Sequence, residues 1–268
     1  MTIEEKSKLL NKWVKGTWSI DADGFVNVIG DVTVTNFSKY QTEIKFGTIS
    51  GYFDCDNNNL TTLKGSPQTV GGDFDCSYNK LTTLKGSPKT VGGNFCCFYN
   101  NLTTLEGSPQ TVGGSFYCYY NKLTTLEGGP KTVDGYFNCS YNNFKKSALE
   151  IWLEKEKLEV KDGSVILYKR VSKDFQTQEG TTNETLWSIG TTLEHPAWKP
   201  DGEECGAGKY HACSRPKFCD EFRDKSDDRY IKLQVRIEDM YAWENPYYPS
   251  KIAFRKGIVL GECNQAGI

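Results

Sequence analysis

The sequence is poor in histidine, has no long apolar run and carries no excess of basic side chains. Each shortage excludes a class of function. Its 268 residues hold two histidines, His195 and His211, and a Ser-His-Asp hydrolase would have to use one of them. Neither stands with a G-x-S-x-G or comparable nucleophile context, so triad hydrolysis is rejected. Lys and Arg number 32 against 34 Asp and Glu, which leaves no basic surplus to neutralise nucleic-acid phosphates. No apolar stretch approaches membrane-spanning length. The N-terminal Met1-Thr-Ile-Glu-Glu-Lys lacks an apolar core and a cleavage site, so a cytoplasmic protein without a secretory signal is expected.

What the sequence does have is a period. From Gly51 to Phe144 it repeats G-x-F-x-C-x-x-N-x-L-T-T-L-x-G-S-P-x-T-V-G, with copies starting at Gly51, Gly72, Gly93, Gly114 and Gly135. A fixed period of this size means stacked, nearly identical units. In the copy from Gly72, Phe74 and Cys76 alternate with Asp73, Asp75 and Ser77, which predicts a short strand with Phe and Cys inward. Asn79 recurs as Asn58, Asn100, Asn121 and Asn142. Its amide can bond the backbone as the chain leaves the strand. Leu81 and Leu84 re-enter the core, Gly86-Ser87-Pro88 turns the chain, and Val91 closes the loop. Cys55, Cys76, Cys97, Cys118 and Cys139 share one station. Parallel strand side chains do not aim at one another, so these thiols are read as reduced and buried.

Stacking the copies in register puts outward residues into columns. One column runs Asn57, Tyr78, Tyr99, Tyr120, Tyr141; the next runs Asp56, Ser77, Phe98, Tyr119, Ser140; a third runs Asp54, Asp75, Cys96, Tyr117, Asn138. Aromatics gather toward the C-terminal copies, and Asp54, Asp56, Asp73 and Asp75 toward the N-terminal ones. Exposed aromatics in this arrangement have the composition of a protein-binding hot spot. The plainer reading is tyrosine stacked on tyrosine to stiffen the array. The aspartates attract a basic partner, hold a calcium ion, or form a solvated acidic patch. Residues 51 to 134 balance six Lys against seven Asp and Glu, so aromatic stacking on nucleic acid would lack its accompanying charge.

The L-x-x-N-x-L-x-x-L frame resembles the short leucine-rich repeats of bacterial and phage proteins, with Phe and Cys at strand positions where Leu is usual. Phage-encoded F-x-C-x-x-N-x-L-T-x-L-x-G-x-P repeats are the nearest likeness, which spans residues 30–144. It implies a curved stack with parallel strands on the concave side and no activity. Residues 1–29 are expected to cap the array, with an amphipathic helix from the apolar spacing of Ile3, Leu9, Leu10, Trp13 and Val14. Residues 145–163 read as a helix covering the last turn, followed by a linker.

Residues 164–268 carry no repeat and read as a small α+β domain. Val165–Tyr168, Ile231–Ile237, Lys251–Phe254 and Ile258–Leu260 read as strands. A helix is expected over Arg215–Arg223 with Ser214 as its N-cap. Gly206-Ala-Gly208-Lys-Tyr210-His-Ala212 resembles the G-x-G-I-Y-F-A segment of ADP-ribosyltransferases of the poly(ADP-ribose) polymerase type. The resemblance implies that Tyr210 stacks on the nicotinamide of NAD, with Tyr168, Gly206 and Gly208 in the cofactor site. Lys169 and Arg170 stand where that family has His and Gly. Glu238, Glu244 and Glu262 are candidates for its ribose-polarising acid, none of them at a clearly matching place. Separately, Cys205, His211, Cys213 and Cys219 supply four potential zinc ligands, though typical zinc pairs are C-x2–4-C. The competing reading is of structural cysteines and a loop histidine.

The fold class expected is therefore α+β: a leucine-rich-repeat β-solenoid with an N-terminal helical cap, followed by a small α+β domain. The function expected is recognition of a partner protein, without nucleic acid, membrane or required cofactor. The expected surface comprises Tyr78, Tyr99, Tyr120, Tyr141, Phe98, Tyr119 and Tyr117. Two alternatives accompany it. One is an NAD-dependent ADP-ribosyltransferase with Lys169 and Tyr210 in its site; the other is a structural component of a larger assembly such as a virion.

Overall fold

The computed structural model describes every residue except 201 and 206. The chain divides into two compact units, Met1–Lys145 and Lys146–Ile268. Among the described residues no helix is long and apolar enough to cross a membrane.

The first unit is a β-solenoid of about five turns with the 21-residue period. Each regular turn contributes two strands of two residues, such as Phe74–Asp75 and Thr90–Val91. The Phe strands pair in parallel, in register, from Phe53 to Phe137. The Thr-Val strands, from Thr69 to Val133, form a second parallel ladder. The repeat's valine, expected only to close the loop, therefore lies in a strand. In the structure each Thr side chain faces out and each Val faces in, the alternation of a strand.

Phe74, Cys76, Leu81, Leu84 and Val91 are fully buried, as are their counterparts in the next turn. Successive phenylalanines stack inside, with Phe53–Phe74, Phe74–Phe95 and Phe95–Phe116 centroids 5.6, 5.2 and 5.3 Å apart. Burying one such side chain stabilises by roughly 1.5–3 kcal/mol, and no single turn could cover it alone. The turns approach closely where the repeat has glycine. A Cβ on Gly92 would lie 2.1 Å from the Gly71 carbonyl oxygen.

The asparagine at the end of each Phe strand ties two turns together. Asn100 Nδ2 donates to the Cys97 carbonyl of its own turn at 3.2 Å and to Cys76 of the preceding turn at 3.0 Å. Its Oδ1 accepts from the Leu81 N–H at 2.9 Å. Asn79, Asn121 and Asn142 repeat the pattern.

The N-terminal end is closed by a helix, Ile3–Trp13, with a Thr2/Glu5 capping box. It buries Leu10 and Trp13, and Trp13 meets Phe37 and Tyr40 edge-on at 6.0 and 5.6 Å. Ile3, read as part of the apolar stripe, is exposed. An antiparallel pair, Val14–Ile20 with Phe25–Thr33, follows the helix. The long strand Phe25–Thr33 starts both ladders, pairing first with Lys45–Ile49 and then with Phe53–Asp54.

The second unit is built on a seven-stranded sheet. In order across it lie Thr192–Glu194, Lys256–Cys263, Arg229–Arg236, Ser164–Val171, Tyr210–Cys213, Lys251–Phe254 and Met240–Tyr241, and every pairing is antiparallel. The helix Ala148–Glu156, capped by Ser147 and Glu150, packs on this sheet. Trp152 is buried with Val165, Leu233 and Val259, and its indole N–H donates to the Pro249 carbonyl at 3.1 Å. The helix read as a cover for the last repeat is thus built into the second unit's core. The segment after Arg215 is a 3-10 helix, Pro216–Glu221, with no side-chain cap. Ser214 does not cap it; its hydroxyl donates to the buried Glu156 carboxylate.

Candidate functional site

The feature of the first unit with chemical potential is its aromatic face. Each tyrosine of the expected column sits one residue before the Asn of its repeat, where the chain leaves the Phe strand. These residues occupy a left-handed turn, with φ of 51, 50, 50 and 54° at Tyr78, Tyr99, Tyr120 and Tyr141. Asn57, at the same station of the first turn, has φ 47°. Asparagine adopts this conformation readily and tyrosine does not. The backbone N–H groups of Tyr78, Tyr99 and Tyr120 still reach across the stack, as in Tyr99 to the Tyr119 carbonyl at 3.2 Å.

The rings form a continuous pile. Tyr78–Tyr99, Tyr99–Tyr120 and Tyr120–Tyr141 centroids lie 4.8, 4.5 and 4.3 Å apart, with interplanar angles of 13, 10 and 1°. The four keep 53, 40, 39 and 49 % of their surface exposed. A second pile, Phe98 on Tyr119 at 4.6 Å and 4°, meets the first edge-on through Tyr99 and Tyr120. Tyr117 joins edge-on to Tyr119 at 6.3 Å. All seven aromatics named from the sequence therefore stand together. The columns differ from expectation at two positions: Ser77 and Ser140, read as outward, are buried.

At the N-terminal end the same face carries Asp54, Asp56, Asp73 and Asp75. Three of them are used locally: Asp54, Asp75 and Asp73 accept backbone N–H bonds from Asp56, Ser77 and Asn94 at 3.0, 2.8 and 2.6 Å. Burial pushes the Asp75 carboxyl up, and the neighbouring Asp54 and Asp73 charges add to the effect. Asp56 is raised by burial and by Asp54 and Asp75. Cys96, half-buried above them, has its thiol pushed up to about 12, first by burial and then by Asp75 and Asp73.

In the second unit the residues singled out by the ADP-ribosyltransferase resemblance do not form one constellation. Tyr168 pairs opposite Cys213, so strand alternation puts Tyr210 on the other face of the sheet. Lys169 and Tyr210 do meet, over Trp187: the ammonium lies 4.7 Å and the phenol ring 5.0 Å from the indole centroid. The Lys169 ammonium also donates to the His211 carbonyl at 2.8 Å. Burial drives its pKa down to about 8. Tyr210 is partly buried and touches Trp187, His195 at 4.8 Å and Phe254 at 5.7 Å through edge-on or tilted ring contacts. Gly208 sits against Ala197 and Lys199 and accepts the Lys199 N–H at 2.7 Å. Gly206 lies outside the described residues.

The four candidate zinc ligands part company. Cys213 and Cys219 are buried side by side and hydrogen-bonded. The Cys219 thiol also donates to the Tyr168 carbonyl at 3.2 Å. Cys205 is exposed and accepts from the Lys251 ammonium at 2.9 Å. The His211 ring lies 6.2 Å from Trp243, and burial holds its imidazole down at about 3. Among the described residues no three His, Cys, Asp or Glu side chains converge to hold a metal ion. Of the candidate ribose-polarising acids, Glu238 pairs with Arg236 and Glu262 with Arg229.

Sequence reasoning did not find the charged cluster of Arg170, Asp220, Arg223 and Asp228, with contacts of 2.8, 3.5 and 2.7 Å. It joins the end of one strand to the loop before the next, and no local motif announces it. No protein-family model, no curated protein and no solved structure matches the chain.

Proposed function

We propose that the chain is a recognition scaffold whose solenoid presents the stacked tyrosine face to a partner protein. The observation that carries this reading is the pairing of exposure with unfavourable backbone. Four tyrosines stand half-exposed in a conformation that asparagine, present at Asn57, adopts at lower cost. Local strain of this kind gathers at functional sites. Tyrosine supplies a large, rigid contact area with few torsions to freeze, which favours it at interfaces. A solenoid suits the role because its turns hold such a surface at fixed spacing.

The phage-type repeat likeness and a cytoplasmic setting belong to the same reading. All ten cysteines stand as thiols, including the adjacent Cys213 and Cys219, which fits a reducing compartment. The NAD reading draws no comparable support, since Tyr168 and Tyr210 fall on opposite faces of the sheet.

The test is capture by the immobilised full chain from a lysate of its native cells, beside Tyr99→Asn/Tyr120→Asn. Asparagine keeps the left-handed backbone and removes the rings. A species captured by the wild type and lost with the variant, at similar melting temperature, supports the reading. Equal capture by both, or capture by neither, overturns it.

A further inference from the structure

The aromatic face is charged at one end only. Four columns make it up: the three described above and the one through Tyr52, Asp73, Asn94, Ser115 and Tyr136, two residues before the third. Those twenty positions hold Asp54, Asp56, Asp73 and Asp75 in the first two turns and no lysine or arginine anywhere. Among the described residues none of the four carboxylates has a cationic side chain within 4.0 Å, whereas Glu106 of the same unit pairs with Lys85 at 2.9 Å. The lysines of the array lie in other columns, at Lys64, Lys80, Lys85, Lys89, Lys122 and Lys131.

Crowded carboxylates without counter-ions, two of them half-buried (Asp54 and Asp75) and two exposed (Asp56 and Asp73), cost stability. A cation from outside would relieve that cost. The tyrosine pile also has an open end here. The Tyr78 ring is covered on one side by Tyr99, and the preceding turn offers only Asn57 at that station. An aromatic face beside carboxylates is a favourable seat for a guanidinium or ammonium group. The remaining turns offer ring edges and hydroxyls, which suit apolar and planar groups.

We infer that the partner engages this face through an extended peptide segment bearing lysine or arginine. The cationic side chains sit on the aspartates and Tyr78, and the apolar or planar ones on the Tyr99–Tyr141 turns. This rests on the recognition reading above and specifies its ligand. The dimensions agree: five turns at about 4.8 Å span about 19 Å, the length of about six extended residues. Charge complementarity at one end also fixes the direction in which the segment lies.

The test uses a random twelve-residue peptide library displayed on filamentous phage and selected on the immobilised full chain. Selected peptides are then titrated, as synthetic peptides, against wild type, Asp54→Asn/Asp75→Asn and Tyr99→Asn/Tyr120→Asn, with melting temperatures measured for each. We expect selected peptides to carry at least two Lys or Arg. Their affinity should fall about tenfold or more in the aspartate variant, although that variant melts no lower than wild type. Added salt should weaken binding to wild type more than to the variant. Neutral or acidic peptides that ignore the aspartates but need the tyrosines would overturn the cationic partner and leave the recognition reading standing. Peptides indifferent to both pairs, or no enrichment, would overturn both.

Discussion

Asn79 reaches back across the stack to Cys55. Its Nδ2 donates to the Cys55 carbonyl at 2.9 Å while its Oδ1 accepts from the Leu60 N–H at 2.8 Å, so one buried amide satisfies backbone groups of the turn before it. The same contacts recur at Asn100, with Cys76 and Leu81. These bonds replace ladder pairing at the point where the Phe strand ends and the chain must turn.

Asn100→Ala should therefore cost the first unit about 2 kcal/mol, because the buried Leu81 N–H loses its partner while the Cys76 and Cys97 carbonyls each keep one of their two amide donors, Asn79 and Asn121. The loss should be local at first. Amide hydrogen exchange at Leu81 should accelerate well before exchange in the Ile3–Trp13 helix. Unchanged protection at Leu81 would show that the amide is not what holds the turns together.

The stations of the repeat were legible because every copy gives the same answer. Phe, Cys, Leu, Leu and Val recur in step, and each proved buried. The left-handed turn at Tyr78 was not legible, because tyrosine is a poor signal for that conformation; only Asn57 hinted at it. Nor was the Thr90–Val91 strand, since two residues cannot display a period. The helix Ala148–Glu156 was found from its apolar residues, but such a face does not say which surface it covers. In the second unit, the strand Tyr210–Cys213 was not among those expected, and the local likeness around Tyr210 concerned only a short segment. It could not reveal that Tyr168 and Tyr210 fall on opposite faces, which depends on the register with Cys213.

Gly92 supports a second prediction, on how tightly the turns are spaced. Gly92→Ala would place a methyl 2.1 Å from the Gly71 carbonyl oxygen, and both atoms belong to stacked backbone that cannot rotate away. The substitution should cost about 3 kcal/mol or more. Gly24→Ala is the comparison: φ is +80° but nothing lies within 4 Å of the added carbon, so the cost should be only about 1 kcal/mol. Denaturant midpoints of the first unit would separate the two. Equal losses would mean that backbone conformation, not contact between turns, makes glycine necessary.

The pH dependence of the second unit should carry the signature of two buried bases. Lys169 binds its proton with a pKa of about 8 in the fold and about 10.4 when unfolded. Between those values the unfolded chain holds more protons, so this group's contribution to stability rises with pH. His211 titrates at about 3 in the fold and about 6.5 when unfolded. Its contribution is complete above pH 6.5 and is lost as pH falls toward 3. Tyrosine and cysteine titration also acts at high pH, so the comparison is made against variants. Wild type should gain stability relative to Lys169→Met from pH 8 to about 10. It should lose stability relative to His211→Phe from pH 6.5 to about 3. Melting curves followed by the fluorescence of Trp152 and Trp187 would measure both differences. A Lys169→Met offset that stays constant across pH 8 to 10 would mean that the lysine is solvated rather than held over Trp187.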